Sequence, residues 1–449
     1  MQTLAVVLDR SDRRALGVQL ADEIRRQVGN GRLPVGSRLP SSRALAGELG
    51  VARAVAERAY AQLVAEGWLE GRHGSGTFVA GGTGLAPRPR RRGSPAPAAP
   101  ALVRLDTGTP WIDPRYADAW RRAWRDVGAA RPPEGYDDPR GLPALRAELA
   151  TRLARARGLD VEPDDVRVTA GTGDGLRHVL TALPPGPVGV EDPGYRSAAA
   201  VAGLAGRTVV DLPAEDPAGW DLRGLAAAYV TPAHQHPLGH TMPGHARVSL
   251  LAAARAAGTL VVEDDYDSEF RYDVAPVPAL ASLDREHVAY LGTASKTVAP
   301  SMRLGWLVAP PAVLDRVDRT REITHDAAAW PVQRAFLSLL REGYVDRVVR
   351  SARRRYAQRA ERVAAALGPY GGVAGPIAGM YATIRLDEAR AVRAHEAARA
   401  AGFDVPLLAG YGRSAGLHGL VVGFGGCTDQ QLDAALGALT AALDRPDRA

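Results

Sequence analysis

Residues 81 to 104 decide how the rest of this chain can fold. The stretch opens Gly-Gly-Thr-Gly-Leu-Ala-Pro-Arg-Pro-Arg-Arg-Arg-Gly-Ser-Pro-Ala-Pro-Ala-Ala-Pro. Small residues and prolines without apolar periodicity cannot join a packed core, so the stretch reads as a semi-stiff linker. Its basic cluster, Arg88 and Arg90 to Arg92, is as readily a solvated charge run as a phosphate contact. A linker there divides the 449 residues into a short domain, 1–80, and a long one, 105–449. With 46% hydrophobic residues the chain has ample material for a core.

The N-terminal domain carries helical periodicity. Leu16, Leu20, Ile24 and Val28 recur every four residues and make one apolar stripe. Gly36 and Pro40 break the chain, Ser41 is placed to cap a second helix, and Gly50 turns into a third containing Val55, Ala59, Tyr60 and Leu63. Two short strand-like pieces follow, Trp68–Glu70 and Thr77–Val79, around Arg72-His-Gly-Ser-Gly. Three helices and a glycine-tipped hairpin describe a winged helix-turn-helix. A small helical protein-interaction module is the other reading of the pattern. Arg43 and Arg53, each near the start of a helix, suit phosphates or guanine edges, and Gly74 and Gly76 let a wing approach closely. The formal net charge of +6 is compatible with a nucleic-acid partner.

Two strings narrow the choice. Gly36-Ser-Arg-Leu-Pro-Ser-Ser-Arg-Ala-Leu-Ala-Gly-Glu-Leu-Gly-Val resembles the DNA-binding domain of GntR-family regulators, as does Ala59-Tyr-Ala-Gln-Leu-Val-Ala-Glu-Gly-Trp-Leu with its following Gly-Ser-Gly-Thr-Phe-Val. The resemblance implies contacts to double-stranded operator DNA at Arg43, Arg53, His73 and Gly74. Glu57 departs from it, standing where some relatives place a basic residue.

Lys296 is the only lysine in a chain whose Lys+Arg total is 56. Arginine matches lysine as a cation but not as a nucleophile, because only the amine gives up its proton readily enough to attack a carbonyl. Lys296 therefore reads as a Schiff-base (aldimine) lysine. Its neighbours fit. Asp165-Val-Arg-Val-Thr leads into Gly171-Thr-Gly-Asp-Gly, a strand, glycine turn and helix start whose N–H groups at Thr172 and Gly173 suit a phosphate. Thr259-Leu-Val-Val-Glu-Asp-Asp-Tyr ends a buried strand, where Asp264 and Tyr266 share one face. A carboxylate there would keep a pyridine nitrogen protonated, and a phenol would bond the ring hydroxyl. Thr293, Ser295 and Arg303 surround the lysine and suit a phosphate. In this order they specify pyridoxal 5′-phosphate. Metal readings exist for the acidic run at 263–269 and for His234, His236, His240 and His245, but prolines and glycines interrupt the histidines and no cysteine is near.

Tyr229-Val-Thr-Pro-Ala-His-Gln-His-Pro-Leu-Gly-His, Glu263-Asp-Asp-Tyr-Asp-Ser-Glu-Phe-Arg-Tyr and Gly292-Thr-Ala-Ser-Lys together resemble the MocR branch of GntR regulators, as do Glu191-Asp-Pro-Gly-Tyr and Tyr136-Asp-Asp-Pro-Arg-Gly. That resemblance implies an α/β chain: a winged helix-turn-helix fused to a fold-type I aminotransferase-like domain, with a large, mostly parallel sheet and a smaller C-terminal α/β part. It implies a homodimer in which Tyr195 and His236 lie near the cofactor ring and Tyr136 reaches the phosphate of the neighbouring subunit. Ala233 stands where the family usually has serine. His236 stands where the family is usually aromatic and true aminotransferases have asparagine. Gly419-Leu-Val-Val-Gly-Phe-Gly lacks the arginine that commonly grips a substrate carboxylate, leaving Arg413 or Arg196 as alternatives.

The expectation is a regulator that binds DNA and senses pyridoxal phosphate or an amino compound. The rival is a working aminotransferase with an accessory DNA-binding domain. Seven arginines between Arg347 and Arg362 wrap around one helix, which favours a solvated helix with internal ion pairs over a second DNA surface. A single cysteine, Cys427, excludes an internal disulfide and fits a reducing compartment. The start lacks the features of a secretory signal and no apolar run approaches about 18 residues. The expected location is the cytoplasm, with no membrane partner.

Overall fold

The computed structural model describes residues 4, 6–72, 75–81, 102–272 and 277–445. They fall into two compact units, Met1–Ala98 and Ala99–Ala449.

In the first unit, α1 (Leu16–Gly29), α2 (Ser42–Leu49) and α3 (Arg53–Ala65) pack around Leu20, Ile24, Leu45, Ala56 and Leu63. Ser41 caps α2, its hydroxyl accepting from the Ala44 N–H at 3.2 Å. Gly50 ends that helix in the left-handed region, φ 62°, where glycine is tolerated best. The strands β1 (Leu69–Arg72) and β2 (Gly76–Val79) pair antiparallel, Arg72 opposite Gly76, and make the wing. Its tip residues His73 and Gly74, expected at DNA, lie outside the described residues.

The second unit begins earlier than the sequence suggested. Val103–Arg104, assigned above to the linker, form β3; Val103 and Leu105 N–H groups donate to the carbonyls of Gly402 and Asp404. A two-residue strand is too short to show periodicity, which is why it read as linker. After it come α4 (Ala117–Ala129), α5 (Pro143–Arg157), β4 (Val166–Thr169), α6 (Thr172–Ala182), β5 (Val188–Asp192), α7 (Arg196–Leu204), β6 (Val209–Pro213), β7 (Ala227–Val230), α8 (Gly244–Ala257), β8 (Leu260–Asp265), β9 (Val288–Thr293) and β10 (Gly305–Val308). Their seven-stranded sheet has the order β4-β10-β9-β8-β7-β5-β6, and only β10 runs antiparallel to its neighbours. The central strands are buried at every residue, as continuous apolar runs between layers of helix must be.

The long α11 (Tyr344–Leu367) follows α9 (Pro311–Thr324) and α10 (Trp330–Arg341). Beyond it β11 (Gly372–Ala374), β12 (Tyr381–Arg385) and β14 (Gly419–Gly423) form a small antiparallel sheet with α12 (Glu388–Ala400) and α13 (Asp429–Leu443); β13 (Phe403–Asp404) pairs with β3. The arginines of α11 are more engaged than a solvated helix requires. Arg359 is buried, donates to Asp429 at 2.9 Å and to the Phe424 carbonyl at 2.6 Å, and Arg355 lies 3.9 Å over the Trp111 ring. Arg353 and Arg347 cap carbonyls, and Arg362 pairs with Asp433. Arg350 and Arg354 are exposed. No helix among the described residues is long and apolar enough to cross a membrane.

Candidate functional site

In an open α/β sheet the loops at the carboxyl ends of the strands converge, and ligand sites form there. Here they enclose a cavity of about 400 Å³. The turn after β4 supplies Thr172 and Gly173, the one after β5 Tyr195, and the one after β7 His236. The end of β8 supplies Asp264 and Tyr266, and the end of β9 Thr293, Ser295 and Lys296. Because β10 is antiparallel, its entry lies at the same edge, and the preceding Arg303 faces the cavity too. All ten residues expected at the cofactor on this chain thus line one space. Tyr136 does not. It is 82% exposed and stacks on His325 at 4.0 Å.

The lysine amine donates to the Gly108 carbonyl at 2.9 Å. Burial pushes its pKa below the usual lysine value against the opposing pull of Asp267, Asp106 and Asp264, so the neutral, nucleophilic form is nearer to hand. Burial also pushes Asp264 up to about 7, opposed by the hydrogen bond from Tyr229 and by the nearby Thr172 hydroxyl. Its Oδ2 accepts from the Tyr229 phenol, while its Oδ1 is buried with no hydrogen-bond partner. A carboxylate left so is short of one donor. Tyr266 is held rigidly: its hydroxyl donates to the His234 carbonyl at 2.9 Å and meets the Tyr381 hydroxyl at 2.8 Å.

At the other end of the cavity the first N–H groups of α6 face Arg303, whose guanidinium is in no ion pair or hydrogen bond among the described residues. The approach is close because it is built on glycine. A Cβ on Gly171 would sit 3.4 Å from the Arg303 guanidinium, and one on Gly305 would sit 2.8 Å from the Gly171 Cα and 2.6 Å from the Gly292 carbonyl oxygen. Arg303 itself has φ 50°. Unpaired guanidinium and helix N–H groups together favour an anion. Thr293 contributes differently from expectation: its hydroxyl accepts the Ser295 N–H at 3.1 Å and bonds the Leu304 carbonyl at 3.1 Å, so it shapes the turn that presents Ser295.

His236 resolves one departure from the family pattern. It is buried among Tyr195, Tyr266, Tyr381 and Tyr411 at near-perpendicular ring angles, with centroids 5.2 to 5.7 Å away. Burial, helped by nearby His234, Lys296 and Arg196, holds it neutral with a pKa pushed down to about 3. A neutral imidazole packed edge-to-face does the work of an aromatic ring. The histidines proposed as metal ligands do not converge. His234 bonds Asp267 at 2.8 Å, and His240 and His245 line a second cavity with Glu215 and Asp216. Among the described residues only Asp174, His178 and Asp326 bring three ligand atoms together, and the Arg177 guanidinium already bonds both of those carboxylates.

Of the two arginines left as carboxylate grips, Arg413 is committed: it donates to Asp211 at 2.6 Å and to the Val190 carbonyl at 2.8 Å. Arg196 is exposed and lies 5.0 Å over the Tyr411 ring. Sequence reasoning missed Thr107 and Gly108, which line the cavity from the start of the second unit. The signal was Asp106-Thr-Gly-Thr, where Asp106 accepts from the Gly108 and Thr109 N–H groups in a tight turn.

In the first unit Arg43 is exposed and makes no ion pair or hydrogen bond among the described residues. Arg53 is exposed too, but Glu57 accepts from it at 2.8 Å one helical turn on.

The bacterial regulatory proteins of the gntR family match residues 16–79, and aminotransferase class I and II matches residues 102–439. The chain is 34% identical, over 94% of both proteins, to the HTH-type pyridoxine biosynthesis transcriptional regulator PdxR of Corynebacterium glutamicum. It is also 34% identical to the probable rhizopine catabolism regulatory protein MocR of Rhizobium meliloti, over 79% of this chain and 77% of that one. Among solved structures, the aspartate aminotransferase of Thermus thermophilus with maleate superposes with a TM-score of 0.66 at 25% identity, covering 76% of this chain and 92% of that one.

Proposed function

Because the chain belongs to the MocR-type regulators, with a GntR DNA-binding domain fused to an aminotransferase-like domain, we propose that it is a transcription regulator that holds pyridoxal 5′-phosphate at Lys296 and uses that cofactor or an amino compound as its signal. The observation that carries the reading is the cavity around the one lysine, with a carboxylate oxygen short of a donor at one end and an unpaired guanidinium at the other. The residues fit the group. Thr172, Gly173, Ser295 and Arg303 would hold its phosphate, Asp264 its ring nitrogen and Tyr266 its ring hydroxyl, with Tyr195 and His236 beside the ring. When bound, the cofactor would supply an aldehyde carbon within reach of the Lys296 amine. The relatives' names speak of pyridoxine biosynthesis and of rhizopine catabolism, processes that involve the cofactor's chemistry in one case and an amino compound in the other. With no arginine on β14 and Arg413 committed elsewhere, we favour the cofactor itself as the signal.

The first unit would bind operator DNA through Arg43, Arg53 and the wing. Assembly as a homodimer would give the exposed Tyr136 a place at the neighbouring copy's phosphate. A gel shift and footprint with the DNA flanking its own gene tests the reading. Cofactor-loaded and cofactor-free protein should differ in affinity or footprint with no amine added. Identical footprints, with a change only on adding one amino compound, would transfer the signal to that compound. Multiple-turnover transamination with any amino-acid pair would favour the aminotransferase reading instead.

A further inference from the structure

Tyr229 lies on β7, one strand over from Asp264, and is 2% exposed. Its ring belongs to the apolar layer of Val190, Ala227, Val262 and Leu291. As packing alone, that position needs no hydroxyl. Phenylalanine would fill it, and a buried hydroxyl without a partner is costly. The hydroxyl is there, and it is spent on Asp264 Oδ2, although Tyr229 does not itself line the cavity. The arrangement is asymmetric: one carboxylate oxygen has a buried donor, and the other has none. We infer that Tyr229 is a positioning residue, whose phenol anchors Asp264 by one oxygen, stabilises its negative charge and presents the other oxygen to the protonated ring nitrogen of the cofactor.

The inference rests on the reading of the cavity as a pyridoxal phosphate site. The physical case is the cost of the alternative. A buried carboxylate with no donor reverts to the neutral acid, which cannot pair with a pyridinium. The other groups that bear on Asp264 do not replace Tyr229: Asp265 and Glu191 carry like charge, Lys296 would be taken up by the aldehyde, and Thr172, although near, leaves Oδ1 without a hydrogen bond. The Tyr229 phenol is the donor that remains available in both the empty and the loaded protein.

The test uses full-length protein and two ligands, pyridoxal phosphate and its 1-deaza analogue, in which carbon replaces the ring nitrogen. Dissociation constants are measured by absorbance titration for wild type and Tyr229→Phe. A hydrogen bond to a charged group predicts a loss on the order of tenfold for pyridoxal phosphate in the variant. The analogue, which has no nitrogen for Asp264 to hold, should change by less than about twofold. Equal losses for both ligands would mean that Tyr229 merely supports the cavity wall, and no loss for either would mean that the hydroxyl is idle; each overturns the inference while the cofactor reading stands. A wild type that binds neither ligand overturns the cofactor reading and this inference with it. If Tyr229→Phe does not fold, Asp264→Asn and the double variant Asp264→Asn/Tyr229→Phe decide the matter. Their affinities for pyridoxal phosphate should agree, and a further tenfold loss in the double variant refutes an action through the carboxylate.

Discussion

The DNA-binding unit and the cavity both leave polar groups without partners, in opposite surroundings. Arg43 stands in solvent, where water satisfies it and salt screens it. Asp264 Oδ1 is buried, where nothing does. An exposed unpaired charge costs the fold almost nothing and gains little from any one contact, so a surface must use several. A buried one is expensive until its ligand arrives, and a single contact then counts heavily. The comparison predicts few large, salt-insensitive effects in one unit and several small, salt-sensitive effects in the other.

The largest effect should come from Lys296→Ala. Borohydride treatment of the loaded wild type should leave the cofactor covalently attached, as read by intact-mass spectrometry, and the variant should show none at all. With no second lysine in the chain, any attachment that survives sinks the assignment.

Asp264→Asn should weaken pyridoxal phosphate by about a hundredfold, the scale of breaking a buried charge pair, with little dependence on salt. It should also do something an exposed site would not. Burial raises this carboxyl from 3.8 to about 7, so between those values the folded protein keeps a proton that the unfolded chain has released. The cofactor-free wild type therefore loses stability as pH rises through that window. Asparagine has no charge to bury. Melting curves should show the variant more stable than wild type at pH 8, with the gain vanishing near pH 4. A gain that is equal at both pH values would contradict the burial argument.

Arg43→Ala should cost about 1–3 kcal/mol of operator affinity if it makes a bidentate base contact. If Arg43 instead neutralises a phosphate, the salt slope should shrink by roughly one unit. Arg53→Ala should cost less, since Glu57 already holds that guanidinium. Titrations by fluorescence anisotropy at several salt concentrations measure both. The smallest effect is reserved for Arg354→Ala on α11, expected to leave DNA affinity within about 0.5 kcal/mol. A loss as large as that of Arg43→Ala would mean that α11 carries a second DNA surface after all.

Much of the cavity was legible because each wall is a short local signal: glycines before a helix, Asp and Tyr two apart at a strand end, a hydroxyl-flanked lysine seven residues before an arginine. What could not be read depends on chain segments far apart. Gly108 reaches Lys296 across 188 residues, and Tyr229 reaches Asp264 across 35, with nothing in either local sequence to announce the partner. His236 looked like a departure because its residue type is ionisable. Only the surrounding rings show that it stays uncharged. Arg359 looked like one more cation on a basic helix, and its burial over Trp111 comes from a residue 248 positions earlier. The first unit was more legible still, since its turns, cap and stripe are all local.

The glycines at 171, 292 and 305 have a mechanical consequence. Gly305 lies directly against the backbone of Gly171 and Gly292, while Gly292 lies under the Trp306 ring and Gly171 against the Arg303 guanidinium, so little slack is left between them. The loop that begins α6 and the arginine that enters β10 are therefore clamped to each other as one piece. A ligand that lands there cannot bend its seat. Any motion it sets off has to start elsewhere, in segments joined by side chains, and the glycine clamp is the stationary frame against which that motion would be measured.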